Sequence, residues 1–148
     1  NKEHWEWATV PNNREKASFL KENIIPIQDA GHLNFVEGEN EIFNDFNALF
    51  VNGHTEAQMI PHITYKDKTI VFAADLLPST GHIPLPYVMG YDTKPLITLG
   101  EKEKFLNEAA EKEYIIYLQH DNYSECCTVE KTDRGVRLKD TFRLTDIL

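Results

Sequence analysis

An unbroken apolar run at residues 70–74, with the sequence IVFAA, is the feature that most restricts how this chain can fold. Successive side chains of a strand point to opposite faces of its sheet, so a strand here would be apolar on both faces. Such a strand needs cover on both sides, as the central strands of layered α/β proteins have. The run ends at Asp75, an ionisable residue. We therefore expect an α/β fold with a central strand that finishes at a carboxylate.

The other strands are predicted from β-branched and aromatic residues that lie between turn residues. With the run above, the predicted strands cover residues 46–51, 58–65, 68–75 and 113–121. Residues 124–144 are expected to form a hairpin with its turn at 132–135. A further hairpin is expected over residues 32–43, with its turn at 38–40. Together these segments predict a largely mixed sheet.

Two helices are expected beside the sheet. The first lies within residues 11–31, is capped by Asn12 or Asn13, and has apolar residues at helical spacing. The second begins at Asp92, and its apolar face is assigned to Leu96, Leu99, Leu106 and Ala110. The EKEK run at 101–104 is assigned to the opposite, solvated face of that helix.

Charge and composition argue against several classes of protein. The 148 residues carry a formal net charge of −9, so no nucleic-acid partner is expected, because such partners need basic patches. No apolar run approaches the roughly 20 residues that cross a bilayer, so no membrane partner is expected either. The adjacent Cys126 and Cys127 imply no disulfide framework, and one or both are expected to be buried strand residues. The compartment is left open, with the cytoplasm slightly favoured.

Three ionisable residues follow predicted strands at the point where each strand ends. They are His54, Asp75 and His120. If their strands are neighbours, the three side chains converge at one edge of the sheet, where ligands gather in layered α/β folds. Imidazole and carboxylate groups are good zinc ligands, so the pattern predicts a metal site. For His54 taken alone, a capping or surface histidine is the alternative.

Three motifs in order carry a resemblance to a known family. The segments NGHTEAQ (52–58), IVFAADLLPS (70–79) and YLQHD (117–121) resemble the later motifs of the metallo-β-lactamase superfamily domain. The resemblance implies one half of a four-layer αββα sandwich with a zinc site of two ions in the complete domain. It implies that His54 completes the ligand set of the first metal, that Asp75 bridges both metals, and that His120 binds the second.

The same resemblance implies an activity and a branch of the family. A metal-bound hydroxide would attack an ester, a lactone or a phosphoester bond of a small-molecule substrate. Asp75, the residues Gln58 and Met59, and the long loop after Asp75 look most similar to the lactonase and organophosphate-hydrolase branch. In that loop, His82 and Tyr87 would contact the substrate or support the metal ligands, and loop packing is the alternative for both. Asp121 would orient His120 or cap the next segment.

One family motif is absent from the sequence. No segment reads His-x-His-x-Asp-His, and the 53 residues before His54 contain only His4 and His32. We therefore expect residues 1–148 to be the C-terminal part of a single domain, with the N-terminal half as a partner and little activity without it. The alternative is a non-catalytic, degenerate module of the same fold with a structural or interaction role. A homo-oligomer is left open.

Overall fold

The structure of the chain is a computed structural model that describes residues 1–37 and 41–147. The chain divides into two compact units, residues 1–38 and residues 39–148. The first unit contains two helices, α1 (Lys2–Thr9) and α2 (Lys21–Asp29). The second contains a sheet and one long helix, α3 (Pro95–Glu111). None of the helices described is long and apolar enough to cross a membrane.

In the first unit, the helix predicted within residues 11–31 is shorter than expected. The side chain of Asn12 accepts hydrogen bonds from two backbone N–H groups that follow it, and residues 13–18 form turns. Leu20 is extended, with φ −82° and ψ 109°, so α2 begins only at Lys21. The local bonding of an asparagine side chain competes with helix formation here.

Seven strands form one mixed sheet in the described part of the second unit, side by side in chain order. They are β1 (Glu41–Phe43), β2 (Phe46–Val51), β3 (Gln58–Tyr65), β4 (Lys68–Phe72), β5 (Ile115–Tyr117), β6 (Cys126–Thr132) and β7 (Gly135–Phe142). β4 and β5 are parallel and α3 lies in the crossover between them, whereas the other neighbouring pairs are antiparallel. The predicted α/β class is confirmed.

The predicted strands 46–51 and 58–65 coincide with β2 and β3, and the predicted hairpin at 124–144 contains β6 and β7. β4 and β5 are shorter than predicted. β4 stops at Phe72 because Ala74 has a positive φ of 44°, which turns the chain out of the strand before Asp75. A positive φ is uncommon outside glycine, and at Ala74 it changes the direction of the chain just before Asp75.

The hairpin predicted over residues 32–43 is found only in part. Residues 32–37 form no strand, and the predicted turn at 38–40 lies outside the described residues. β1 pairs with β2 through a turn in which Asp45 has φ 63°. The pattern of apolar residues was right for the second arm of the hairpin but assigned it the wrong neighbour.

The order of strand directions brings three chain segments to one edge of the sheet. β2 is antiparallel to β3, and β3 is antiparallel to β4, so β2 and β4 run in the same direction. β5 is parallel to β4. The segments that follow β2, β4 and β5 therefore leave the sheet at the same edge, as expected from the strand-end pattern.

α3 covers the sheet with a face that differs from the predicted one. Its buried residues are Thr98, Lys102, Phe105, Leu106 and Ala109. Leu96, assigned to the apolar face, is 83% exposed, and the EKEK run does not lie wholly in solvent, because Lys102 is 1% exposed. The helix is rotated from the expected orientation since its first turn is fixed by contacts with the β2–β3 turn.

Candidate metal centre

The turn that carries His54 is fixed by its close approach to α3. Gly53 is buried, and a Cβ built on it would lie 2.2 Å from Thr98 Oγ1 and 2.3 Å from the Thr98 nitrogen. No residue larger than glycine fits without moving the helix. The backbone N–H of Thr93 donates to the His54 carbonyl at 3.1 Å, and that of Lys94 donates to the Gly53 carbonyl at 2.9 Å. The turn and the start of α3 are thus one bonded unit.

Glu101 secures the same turn from within α3. Its carboxylate accepts hydrogen bonds from the backbone N–H groups of Asn52 at 2.7 Å and Gly53 at 3.0 Å. The side chain of Asn52 in turn accepts from the Ala57 N–H at 2.9 Å. Hydrogen bonds to a charged acceptor are stronger than neutral ones, so Glu101 gives the turn a firm anchor. Its place in an EKEK run gave no signal of this role.

Asp75 is the residue on which the predicted site converges. Its Oδ2 lies 3.5 Å from His54 Nε2, and its Oδ1 lies 3.2 Å from His120 Nε2. The structure therefore brings together all three strand-end residues identified in the sequence. Gln58 Nε2 donates to Asp75 Oδ2 at 3.3 Å, which helps to fix the orientation of the carboxylate.

Asp92 is a site residue that the sequence pattern did not reveal. Its side chain is fully buried, and its Oδ1 lies 2.9 Å from His54 Nδ1. Because a carboxylate only accepts hydrogen bonds, Nδ1 carries the proton, and Nε2 is the nitrogen that a neutral ring turns towards Asp75. A carboxylate behind a histidine is the usual support for a metal-ligating imidazole. An aspartate just before a helix is typical of a helix cap, so nothing distinguished it.

Asp121 acts on the loops beside His120. Its carboxylate accepts from the N–H and the hydroxyl of Thr80, at 2.9 and 2.7 Å, and from the N–H groups of Tyr123 and Ser124, both at 2.9 Å. Burial raises the pKa of Asp121, but these hydrogen bonds outweigh it and lower the pKa to about 2. This geometry corresponds to the capping alternative, with the loop after Asp75 as a second partner.

His82 and Tyr87 lie in the loop that joins Asp75 to Asp92. His82 is half-buried, and its Nδ1 lies 2.8 Å from Ser79 Oγ. Burial lowers the pKa of His82, which favours a neutral imidazole. The side chain of Tyr87 is exposed. A role of either residue towards a substrate remains a prediction.

The donor types at this edge suit a divalent transition metal. Two imidazole nitrogens face the two oxygens of one carboxylate, the arrangement that a bridging aspartate would need. The set is not complete, since no group of three or more His, Cys, Asp or Glu in the described ranges is arranged to hold a metal ion alone. The three residues therefore offer suitable donor types, and further ligands would be needed to complete a metal centre.

Comparison with known proteins concerns the fold of the chain. Neither a protein-family model nor a curated protein sequence matches the chain. Among solved structures, a probable metal-dependent hydrolase from Staphylococcus aureus superposes with a TM-score of 0.77 at 21% identity, over 93% of this chain and 50% of that one. The hydrolase AbOPH of the β-lactamase superfamily gives 0.74 at 18% identity, over 91% of this chain and 49% of its own.

A third solved structure is the dizinc quorum-quenching lactonase AidC, with a TM-score of 0.66 at 22% identity. It is matched over 88% of this chain and 48% of its own length. The chain thus spans about half the length of these three structures, which are a probable metal-dependent hydrolase, a hydrolase of the β-lactamase superfamily and a dizinc lactonase. At these identities the likeness establishes the fold, which is half of a metallo-β-lactamase sandwich. The predicted resemblance and fold are confirmed.

Proposed function

We propose that this chain supplies part of the metal centre of a zinc-dependent hydrolase. The observation that carries the proposal is the carboxylate of Asp75, with one oxygen facing His54 and the other facing His120. With the proton of a neutral His54 on Nδ1, the Nε2 lone pair faces an oxygen of Asp75, and two acceptors that face each other call for a cation between them. The metal-dependent hydrolases among the similar folds support the same conclusion.

In this proposal, His54, Asp75 and His120 would hold the metal. When bound, such ions polarise the scissile bond and lower the pKa of a bound water. Asp92 keeps the proton on Nδ1 of His54, so that the lone pair of Nε2 is available to bind the metal. Gln58 holds Asp75 in orientation. His82 and Tyr87 would contribute to the wall of the substrate site. The substrate is a small molecule with an ester, lactone or phosphoester bond.

We further propose that residues 1–148 form the C-terminal part of one domain. The remaining ligands then come from a segment with the sequence His-x-His-x-Asp-His, supplied by an N-terminal half. Two observations support this: the chain covers about half of the similar structures, and its described residues do not make a complete ligand set. Activity is therefore expected of the assembled domain, with little in the chain alone.

Zinc binding tests the proposal directly. We expect Asp75→Ala to weaken zinc binding by the chain at least tenfold, because loss of a ligand costs no less than the roughly 10–100-fold loss caused by removing a residue that supports a ligand. Competition with a chromophoric chelator measures the affinity. Asp67→Ala, in the exposed turn between β3 and β4, is the matched control and keeps the wild-type affinity. Equal affinities of wild type and Asp75→Ala would contradict a metal role for Asp75.

Activity is tested on the chain assembled with a segment that carries His-x-His-x-Asp-His. A lactone, a carboxylic ester and a phosphodiester are offered as substrates, each with added zinc. Turnover of at least one of them that is lost in Asp75→Ala supports the hydrolase. Zinc binding without turnover of any of them would contradict this substrate range while leaving the metal site.

The second candidate is a non-catalytic module of the same fold. It is favoured by one observation, that the described residues alone do not form a complete set of metal ligands. If the wild-type chain binds no zinc in the presence or absence of the added segment, this second function is the better one.

A further inference from the structure

Lys102 is the most unusual side chain outside the candidate ligands. It lies in α3 and is 1% exposed, although lysine is almost never fully buried unless it is paired. Its Nζ donates to three backbone carbonyl oxygens: His82 at 2.9 Å, Pro84 at 3.3 Å and Tyr87 at 2.5 Å. An ammonium group has three donors, so these carbonyls match its full capacity.

All three carbonyls belong to the loop that joins Asp75 to Asp92. The start of the same loop is bonded separately, by the carboxylate of Asp121 to Thr80. The loop is therefore held at its start by Asp121 and in its middle by Lys102. Both ends of the loop carry carboxylates that contact His54.

Lys102 also acts on the site through its charge. Burial is the larger effect and lowers the pKa of Lys102 to about 8. The negative charge of Asp92 acts in the opposite direction and raises it. The same carboxylate and Lys102 both act on His82, so these three groups lie within electrostatic reach of one another. One oxygen of Asp92 holds His54, and the other has no hydrogen-bond partner among the described residues. A buried carboxylate in this position is stabilised by a nearby cation, and Lys102 is a buried cation within electrostatic reach of it.

We propose that Lys102 is a positioning residue of the candidate metal centre. It fixes the middle of the loop through three carbonyl oxygens and balances the carboxylate that orients His54. Its neighbour Glu101 does the corresponding work for the turn of His54, through Asn52 and Gly53. Two adjacent residues of α3 thus anchor two different loops of the site. The functional part of this inference rests on the proposed hydrolase, whereas the anchoring of the loops does not.

Amide hydrogen exchange tests the two anchors against each other. We expect Lys102→Met to lower the protection of the Ile83 and Tyr87 amides roughly tenfold, as the loss of hydrogen bonds to a charged group implies. The amides of Asn52, Gly53 and the central strands keep their protection. Glu101→Gln gives the reverse pattern, with loss at Asn52 and Gly53 only. Lys104→Met, an exposed position on the same helix, is the control and changes neither segment.

A residue that merely stabilises the fold would lower protection in both loops and in the sheet together. That uniform loss in Lys102→Met, or no loss at Ile83 and Tyr87, would overturn the proposal. If Lys102→Met fails to fold, the amide exchange rates of the wild-type chain test the proposal instead. The Ile83 and Tyr87 amides then exchange as slowly as other hydrogen-bonded amides if the loop is anchored, and at the rate of an open loop if it is not.

Zinc affinity of the same variants separates this inference from the proposed function. Weaker zinc binding by Lys102→Met, together with the local loss of protection, supports positioning of a metal centre. Local loss of protection with wild-type zinc affinity overturns the link to the site. If the wild type binds no zinc, with or without the added His-x-His-x-Asp-His segment, while the two loops respond separately, the anchors stand and the proposed hydrolase fails.

Discussion

At the scale of single residues, the candidate site depends on carboxylates that hold imidazoles. Asp75 faces two histidines, and Asp92 lies behind one of them. The two carboxylates differ in environment, because the side chain of Asp92 is fully buried while that of Asp75 is 22% exposed. Asp75 is thus accessible to a ligand, whereas the buried Asp92 can only orient His54. The loop between them sets their separation.

Replacement of Asp92 tests its support of His54. We expect Asp92→Asn to fold but to weaken zinc binding by about 10–100-fold, because the neutral amide is a poorer partner for the Nδ1–H of a metal-bound imidazole. Competition with a chromophoric chelator gives the affinity. The control is Asp133→Asn, in the exposed turn of the β6–β7 hairpin, which keeps wild-type affinity. An Asp92→Asn protein that binds zinc as tightly as the wild type would show that Asp92 is a structural residue alone.

At the scale of elements, α3 organises the site without supplying a candidate ligand. Its buried face packs on the sheet through Phe105, Leu106 and Ala109. Thr98, in the first turn of α3, lies against Gly53. Glu101 and Lys102 bind the backbone of two different loops. The helix therefore transmits the position of the sheet to the loops that carry the functional groups. These contacts fix the position of α3 along the sheet.

Two glycines near α3 give a matched test of that position. Gly53→Ala places a Cβ against the backbone of Thr98, and we expect it to lower the free energy of unfolding by about 1–3 kcal/mol or more. Gly100→Ala adds the same atom within the helix, where nothing lies within 4 Å, and raises the free energy of unfolding by about 0.5–1 kcal/mol. Urea unfolding followed by circular dichroism measures both. Similar effects of the two substitutions would contradict the close approach at Gly53.

At the scale of the whole molecule, the sheet of the second unit encloses its two cysteines. Cys126 and Cys127 lie at the start of β6, both fully buried and free. Burial is the largest cause that raises their pKa values, to about 11 for Cys126 and about 12 for Cys127. The thiolate is the reactive form, so these residues combine low access with low reactivity.

The two thiols should therefore report on opening of the sheet. At pH 8 we expect both to react slowly with a colourimetric thiol reagent in the native chain, because neither is exposed nor ionised. The unfolded chain in urea is the control, where both react promptly. A native chain whose thiols react as fast as those of the unfolded one would contradict the enclosed sheet around β5, β6 and β7.

The three candidate ligands could be identified in the sequence because they depend on local order. A strand end is marked by a change from apolar to ionisable residues, as at Asp75, and β2, β3 and the β6–β7 hairpin were found by the same local rules. The shortening of β4 and β5 could not be predicted, because it depends on the positive φ of Ala74 and on pairing with neighbours. The preference of a residue for a strand depends on its packing against neighbouring strands, which the local sequence does not show.

The sequence by itself determined which residue types stand at the ends of which strands, and so the candidate metal chemistry of His54, Asp75 and His120. Only the tertiary structure decided what supports them. The contact of His54 with Asp92 joins residues 38 positions apart, and that of Asn52 with Glu101 joins residues 49 apart. Periodicity along a helix cannot distinguish an inward charged residue with a partner on a distant loop from an outward one in water. The physical reason is that a charged side chain is buried only where a partner compensates its charge. That partner lies far away in the sequence, so the local pattern does not contain it.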